Sequence, residues 1–131
     1  MELVNSSGER RQSPRFPVQL PLDYWEVPGV VRGGIVADMS SVGLRIHSVH
    51  PIQIGAKLRI RVYVLIEAFT FGSIEGSGRI IWSTLHREGG WKGYRCGLYL
   101  AEMALDDRKR LIHFLKPLRL DQQNPLNNSY Q

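Results

Sequence analysis

Residues 57–66, KLRIRVYVLI, put Leu58, Ile60, Val62 and Val64 at every second position, with Lys57, Arg59, Arg61 and Tyr63 between them. A period of two sends one set to each side of an extended chain. The segment therefore predicts a half-buried strand with an apolar inner face and a solvated basic outer face. The same period recurs in VQLPLDYW, where Val18, Leu20, Leu22 and Tyr24 alternate with Gln19, Pro21, Asp23 and Trp25. Pro21 has no amide hydrogen and marks an edge position or a bulge. After a turn through Pro28 and Gly29, VVRGGIVADMSSVGLRIHSV predicts two strands around the tight turn DMSSVG. FGSIEGSGRIIWS predicts another strand, with bends or bulges at Gly72, Gly76 and Gly78 and with Trp82 ending it in the core. REGGWKG reads as a hairpin loop because Gly89 and Gly90 accept positive φ, and YRCGLYLAEM is the last strand.

The period then changes. In ALDDRKRLIHFLKPL, Leu111, Ile112, Leu115 and Leu118 fall at the spacing of one helix stripe. Asp106 suits the N-cap, and Pro117 is expected to kink or end the helix. Many short strands with glycine-rich turns favour a barrel or sandwich, and a single helix after them serves as a plug or lid. A chain of 131 residues fits one domain. Its expected limits are residues 10–118, between a frayed segment at 1–9 and a polar, flexible tail at 119–131.

Several classes are excluded or disfavoured. No apolar run approaches the roughly 18 residues of a membrane span, and MELVNSSGERR lacks the apolar stretch of a signal peptide. A cytoplasmic location is the expectation. Cys96 is the one cysteine, so no internal disulfide forms, and a small buried role is expected for it. His47, His50, His86 and His113 show no zinc spacing, and no metal site is expected. Ser40 has no nucleophile elbow, the carboxylates form no recognisable pair, and GSIEGSG lacks the lysine and element order of a phosphate loop. The chain is therefore not expected to be an enzyme. Its net charge of +5 suits nucleic acid, a nucleotide or an anionic surface alike. Nucleic acid is disfavoured, because no aromatic platform is interleaved with the basic residues.

Two stretches carry a binding signal. Arg10, Arg11 and Arg15 crowd beside Pro14 and Pro17, ahead of the first strand. The prolines disfavour a helix and predict a kinked loop that presents guanidinium groups. Each guanidinium matches a phosphate or the guanine edge bidentately and can stack on a base. In the DMSSVG turn, Asp38 can pair with guanine donors or fix an arginine, Ser40 adds a hydroxyl, and Gly43 permits a close approach. On spacing alone, the arginines read equally as solvated loop residues, and Asp38 and Ser40 as turn-formers.

RQSPR at Arg11 to Arg15, a strand, and then DMSSVG at Asp38 to Gly43 resemble the signature R-x-x-x-R, strand, D/N-x-S-x-x-G of the PilZ domain, the bacterial receptor module for cyclic di-GMP. GRIIWS, YRCGLYLAEM and DDRKRLIHFL resemble the family's later strands and C-terminal helix, so the likeness spans residues 10–118. The resemblance implies a six-stranded antiparallel β-barrel with a C-terminal α-helix. It implies that Arg11 and Arg15 clamp the guanine and phosphate of cyclic di-GMP and that Asp38 and Ser40 meet the same nucleotide. It implies too that Gly43 shapes the turn and that Gly97 is the glycine often kept in the late strand. Arg10 stands where family members that bind an intercalated ligand dimer carry an extra arginine. Loop ordering would then relay the ligand level to a downstream effector protein. The alternative is a PilZ-like domain that acts through protein contacts alone.

Overall fold

The computed structural model describes residues 14–67 and 70–123. Their strands are β1 (Phe16–Trp25), β2 (Arg32–Met39), β3 (Gly43–Ser48), β4 (Lys57–Glu67), β5 (Thr70–Glu88) and β6 (Trp91–Glu102), followed by helix α1 (Leu105–Gln123). The strands pair antiparallel in the order β1-β2-β3-β6-β5-β4, and β1 closes the ring against β4. Closure gives the alternating pattern its meaning: one face of every strand fills the interior and the other meets solvent.

Leu58, Ile60, Val62 and Val64 of β4 are buried, as are Phe16, Leu22 and Tyr24 of β1. Val36, Ile46, Ile74, Ile80, Cys96 and Leu98 complete the same interior. Cys96 is fully buried, which pushes its thiol pKa up and leaves it as packing. Pro21 lies opposite Ile35, while the β1–β4 ladder covers Leu22 to Trp25 only. The missing amide therefore costs no bond on that side, and the irregularity in β1 falls earlier, between Pro17 and Leu20.

β5 is longer than expected and carries two register shifts, at Ser77/Gly78 and Ile80/Trp82. Gly78 is required at the first, because a Cβ there would sit 2.0 Å from the Tyr99 carbonyl oxygen. Gly89 and Gly90 have φ of 56° and 82°, so the β5–β6 connection is a two-residue turn with both centres left-handed. The second shift moves Trp82 out of the core. Its ring lies on the outer wall, 36% exposed, which corrects the expectation for this residue.

The helix differs from its sequence reading in three ways. Ala104 precedes it and accepts from the Arg108 amide, so Asp106 lies in the first turn instead of capping it. Its buried stripe is Leu111 and Leu115, supported by Phe114 and Leu118, while Ile112 faces out. The stripe needs a 3.6-residue period, which Phe114 meets and Ile112 misses. The helix also continues past Pro117 to Gln123, because Leu118 packs against the core beyond the proline. Leu111, with no exposed surface, is the centre of the plug. Leu111→Ala is expected to cost about 2–5 kcal/mol of stability in urea unfolding. A loss below about 1 kcal/mol would show that the helix is not part of the cooperative core.

Candidate functional site

The β2–β3 turn is built by a serine. Ser40 is completely buried, and its Oγ accepts the amides of Val42 and Gly43, each at 3.2 Å. The Ser40 amide donates to the Gly43 carbonyl at 2.9 Å. This hydroxyl is spent inside the turn, so Ser40 acts on the site by fixing its backbone. Gly43 is needed for packing: a Cβ would meet the Leu98 carbonyl oxygen at 2.7 Å, and the Arg15 Nη2 lies 3.9 Å from the same point. The guanidinium of Arg15 thus rests over a position kept free of a side chain.

Asp38, 5% exposed, stands at the end of β2 just before this turn. Arg15 Nη1 donates to its Oδ1 at 2.9 Å. Arg45 Nε donates to its Oδ2 at 2.7 Å, and Arg45 Nη2 bonds the same oxygen. A buried carboxylate without partners would cost several kcal/mol, and here two guanidiniums offset that cost. Asp38 thus fixes two arginines, one of the two roles open to it. Both arginine side chains keep close to half of their surface exposed, at 48% and 43%, and each guanidinium has more donors than its bonds to Asp38 use.

Register extends the site. Asp38 lies opposite Arg45, Arg45 opposite Gly97, and Gly97 opposite Trp82. The four residues form one row across β2, β3, β6 and β5, spanning about 14 Å at three inter-strand steps of about 4.8 Å. A Cβ on Gly97 would fall 2.1 Å from the Trp82 Nε1, so the indole lies against the glycine backbone and fills the missing side chain's space. Gly97 therefore seats an aromatic ring in the same row as the arginine clamp. Sequence reasoning missed Arg45 and Trp82. The alternation put Arg45 on an outer face but gave it no partner, and only the bulge before Trp82 turns that ring outward. Arg10 and Arg11 lie outside the described residues.

The turn is also tied to the helix, since Arg108 Nη1 donates to the Ser41 carbonyl at 2.6 Å. Asp107 Oδ1 accepts the Glu75 amide at 3.0 Å, which fastens the first turn of α1 to β5. Asp38→Asn keeps the side-chain shape but removes the charge facing both arginines. It is expected to lower stability by about 1–3 kcal/mol in thermal or urea unfolding, and an unchanged midpoint would show that the clamp is not formed in solution.

Comparison with known proteins agrees with this architecture. Bacillus subtilis inhibitor of motility (MotI/DgrA) superposes with a TM-score of 0.71 at 18% identity, over 88% of this chain and 54% of that one. K. pneumonia MrkH in complex with c-di-GMP gives 0.67 at 18% identity, over 87% and 54%. The chain thus spans about half the length of these two proteins. The PilZ domain of Escherichia coli YcgR with c-di-GMP gives 0.65 at 12% identity, over 87% of this chain and 95% of that domain. No curated protein sequence matches the chain. The sequence model of the PilZ domain matches residues 9–116, which include Arg10, Arg11 and Arg15, all six strands and most of the helix, and the chain belongs to the PilZ domain family.

Proposed function

We propose that the chain is a receptor for cyclic di-GMP, binding it on the outer wall of the barrel, and that it relays the ligand's level to a partner protein. One observation carries this reading: Asp38, at one end of the row that carries Trp82, holds Arg15 over Gly43. Guanidinium forks at one end of the row and a partly exposed indole at the other offer two complementary surfaces to a purine nucleotide. The fork takes phosphate or the guanine O6/N7 edge, and the ring takes the base face. Complexes with c-di-GMP of K. pneumonia MrkH and of the E. coli YcgR domain support the choice of ligand.

In this reading Arg11 joins Arg15 in the clamp, and Arg10 touches a second, intercalated ligand. The arginine segment precedes β1 directly, so holding it against the ligand changes the surface beside the β2–β3 turn. Arg108 carries that change to α1 through Ser41. Fixing a loop costs roughly 1–2 kcal/mol per residue, and charge-assisted bonds to the ligand offset it.

Calorimetric titration of the chain with cyclic di-GMP tests the reading. Binding is expected, with two ligands per chain and one per chain in Arg10→Ala. Arg11→Ala and Arg15→Ala are each expected to weaken binding by about 10- to 100-fold, as the loss of charge-assisted bonds implies. Trp82 fluorescence is expected to change on binding, and Trp82→Ala to remove that change. No heat from a folded chain would contradict the reading.

A further inference from the structure

One step along the strands from the clamp row lies a second row that the clamp does not use. His47 follows Arg45 by two positions on β3, so both project from the outer face. Arg95 of β6 stands opposite His47, with Cβ atoms about 5 Å apart for a directly opposed pair, and Thr84 of β5 follows. Arg95 Nη2 lies 2.9 Å from the His86 Nε2. The charged and titratable groups facing His47 are Arg45 on its own strand, Arg95 on β6, His86 on β5 and Asp38 on β2. Asp38 already bonds two arginines, and Glu88 pairs with His86 at the exposed edge.

The row therefore carries a positive field with little carboxylate to balance it. Burial, then Arg95 and Arg45, lower the His47 pKa below the ordinary histidine value. The Arg95 Nε is buried and has no hydrogen-bond partner among the described residues. A buried donor of this kind normally finds an acceptor. On its other side, His47 borders an outer-face cavity of about 370 Å³, walled by Gln19 and Ile35 and floored by the Gly33–Gly34 backbone.

We propose that His47 and Arg95 form a second anion subsite, which takes the phosphodiester of the bound dinucleotide that the Arg15 clamp leaves free. The subsite rests on the reading of the first site as a cyclic di-GMP site. A cyclic dinucleotide carries two phosphodiesters, and one guanidinium clamp neutralises only one. Arg95 supplies a fixed charge, and His47 supplies a donor whose charge depends on pH. The cavity beside His47 leaves room for the sugar attached to that phosphate. An anion favours imidazolium, so binding raises the His47 pKa. Affinity then increases as pH falls through the bound-state pKa and levels off below the depressed free-state value.

The test is titration of the chain with cyclic di-GMP at about pH 8 and about pH 5.5, which bracket the range where histidine titrates. Affinity is expected to rise about 3- to 10-fold on acidification, the size expected for a pKa shift of about half to one unit. His47→Gln should remove that rise, and His86→Gln should retain it. The His47 imidazole, followed by NMR in the unsubstituted chain, should titrate at higher pH when ligand is bound. Binding with no pH dependence, or an unchanged His47 titration, would overturn the subsite and leave the clamp standing. No binding at either pH would overturn the clamp reading and the subsite together.

Discussion

The Asp38 carboxylate between Arg15 and Arg45 is the interaction on which the rest of the outer wall depends. It is nearly buried, so its charge must be met inside the protein, and each of its oxygens is met by a different arginine. Arg45 comes from the facing strand and is fixed by register. Arg15 comes from the segment just before β1 and would otherwise be free. The carboxylate fixes the guanidinium of an arginine that no strand pairing holds. Its own placement follows from Ser40, whose buried hydroxyl closes the turn after it.

Barrel closure and three glycines shape the wall around that pair. Gly43 lets β3 approach β6 beneath Arg15, Gly78 lets β5 approach the Tyr99 carbonyl, and Gly97 leaves a hollow that the Trp82 ring occupies. Each glycine replaces a side chain by backbone or by a ring from another strand. The outer surface of β2, β3, β6 and β5 therefore reads as ordered rows instead of scattered solvated residues. The helix plugs the interior with Leu111 and Leu115 and bonds the turn through Arg108, so the site's backbone and the core share one support.

Alternation made most of this fold legible in the sequence, since a period of two is read locally. The strands were accessible that way, the Gly89–Gly90 turn through its glycines, and the C-terminal helix through its change to a 3.6-residue period. Trp82 was not, because the bulge between Ile80 and Trp82 reverses which face the residue takes, and that bulge is seen only in the pairing with β6. Arg45 could not be told from Arg59, for both are basic residues on outer strand positions. Only pairing across β2 and β3 shows that Arg45 meets Asp38. Ser40 was visible as a turn residue, but its complete burial follows from the packing of the turn against β6. Asp106 failed as a cap because the chain leaves β6 already committed to the helix at Ala104, and Asp107 bonds Glu75 instead.

In the proposed receptor, Asp38 acts on the ligand through Arg15. A double-mutant cycle on cyclic di-GMP affinity measures that coupling, using Asp38→Ala, Arg15→Ala and the doubly substituted chain. If Asp38 serves to position Arg15, the double variant should bind about as weakly as Arg15→Ala alone, with a coupling energy of about 1–3 kcal/mol. If the two losses simply multiply, the residues act independently and Asp38 does not position Arg15 for the ligand.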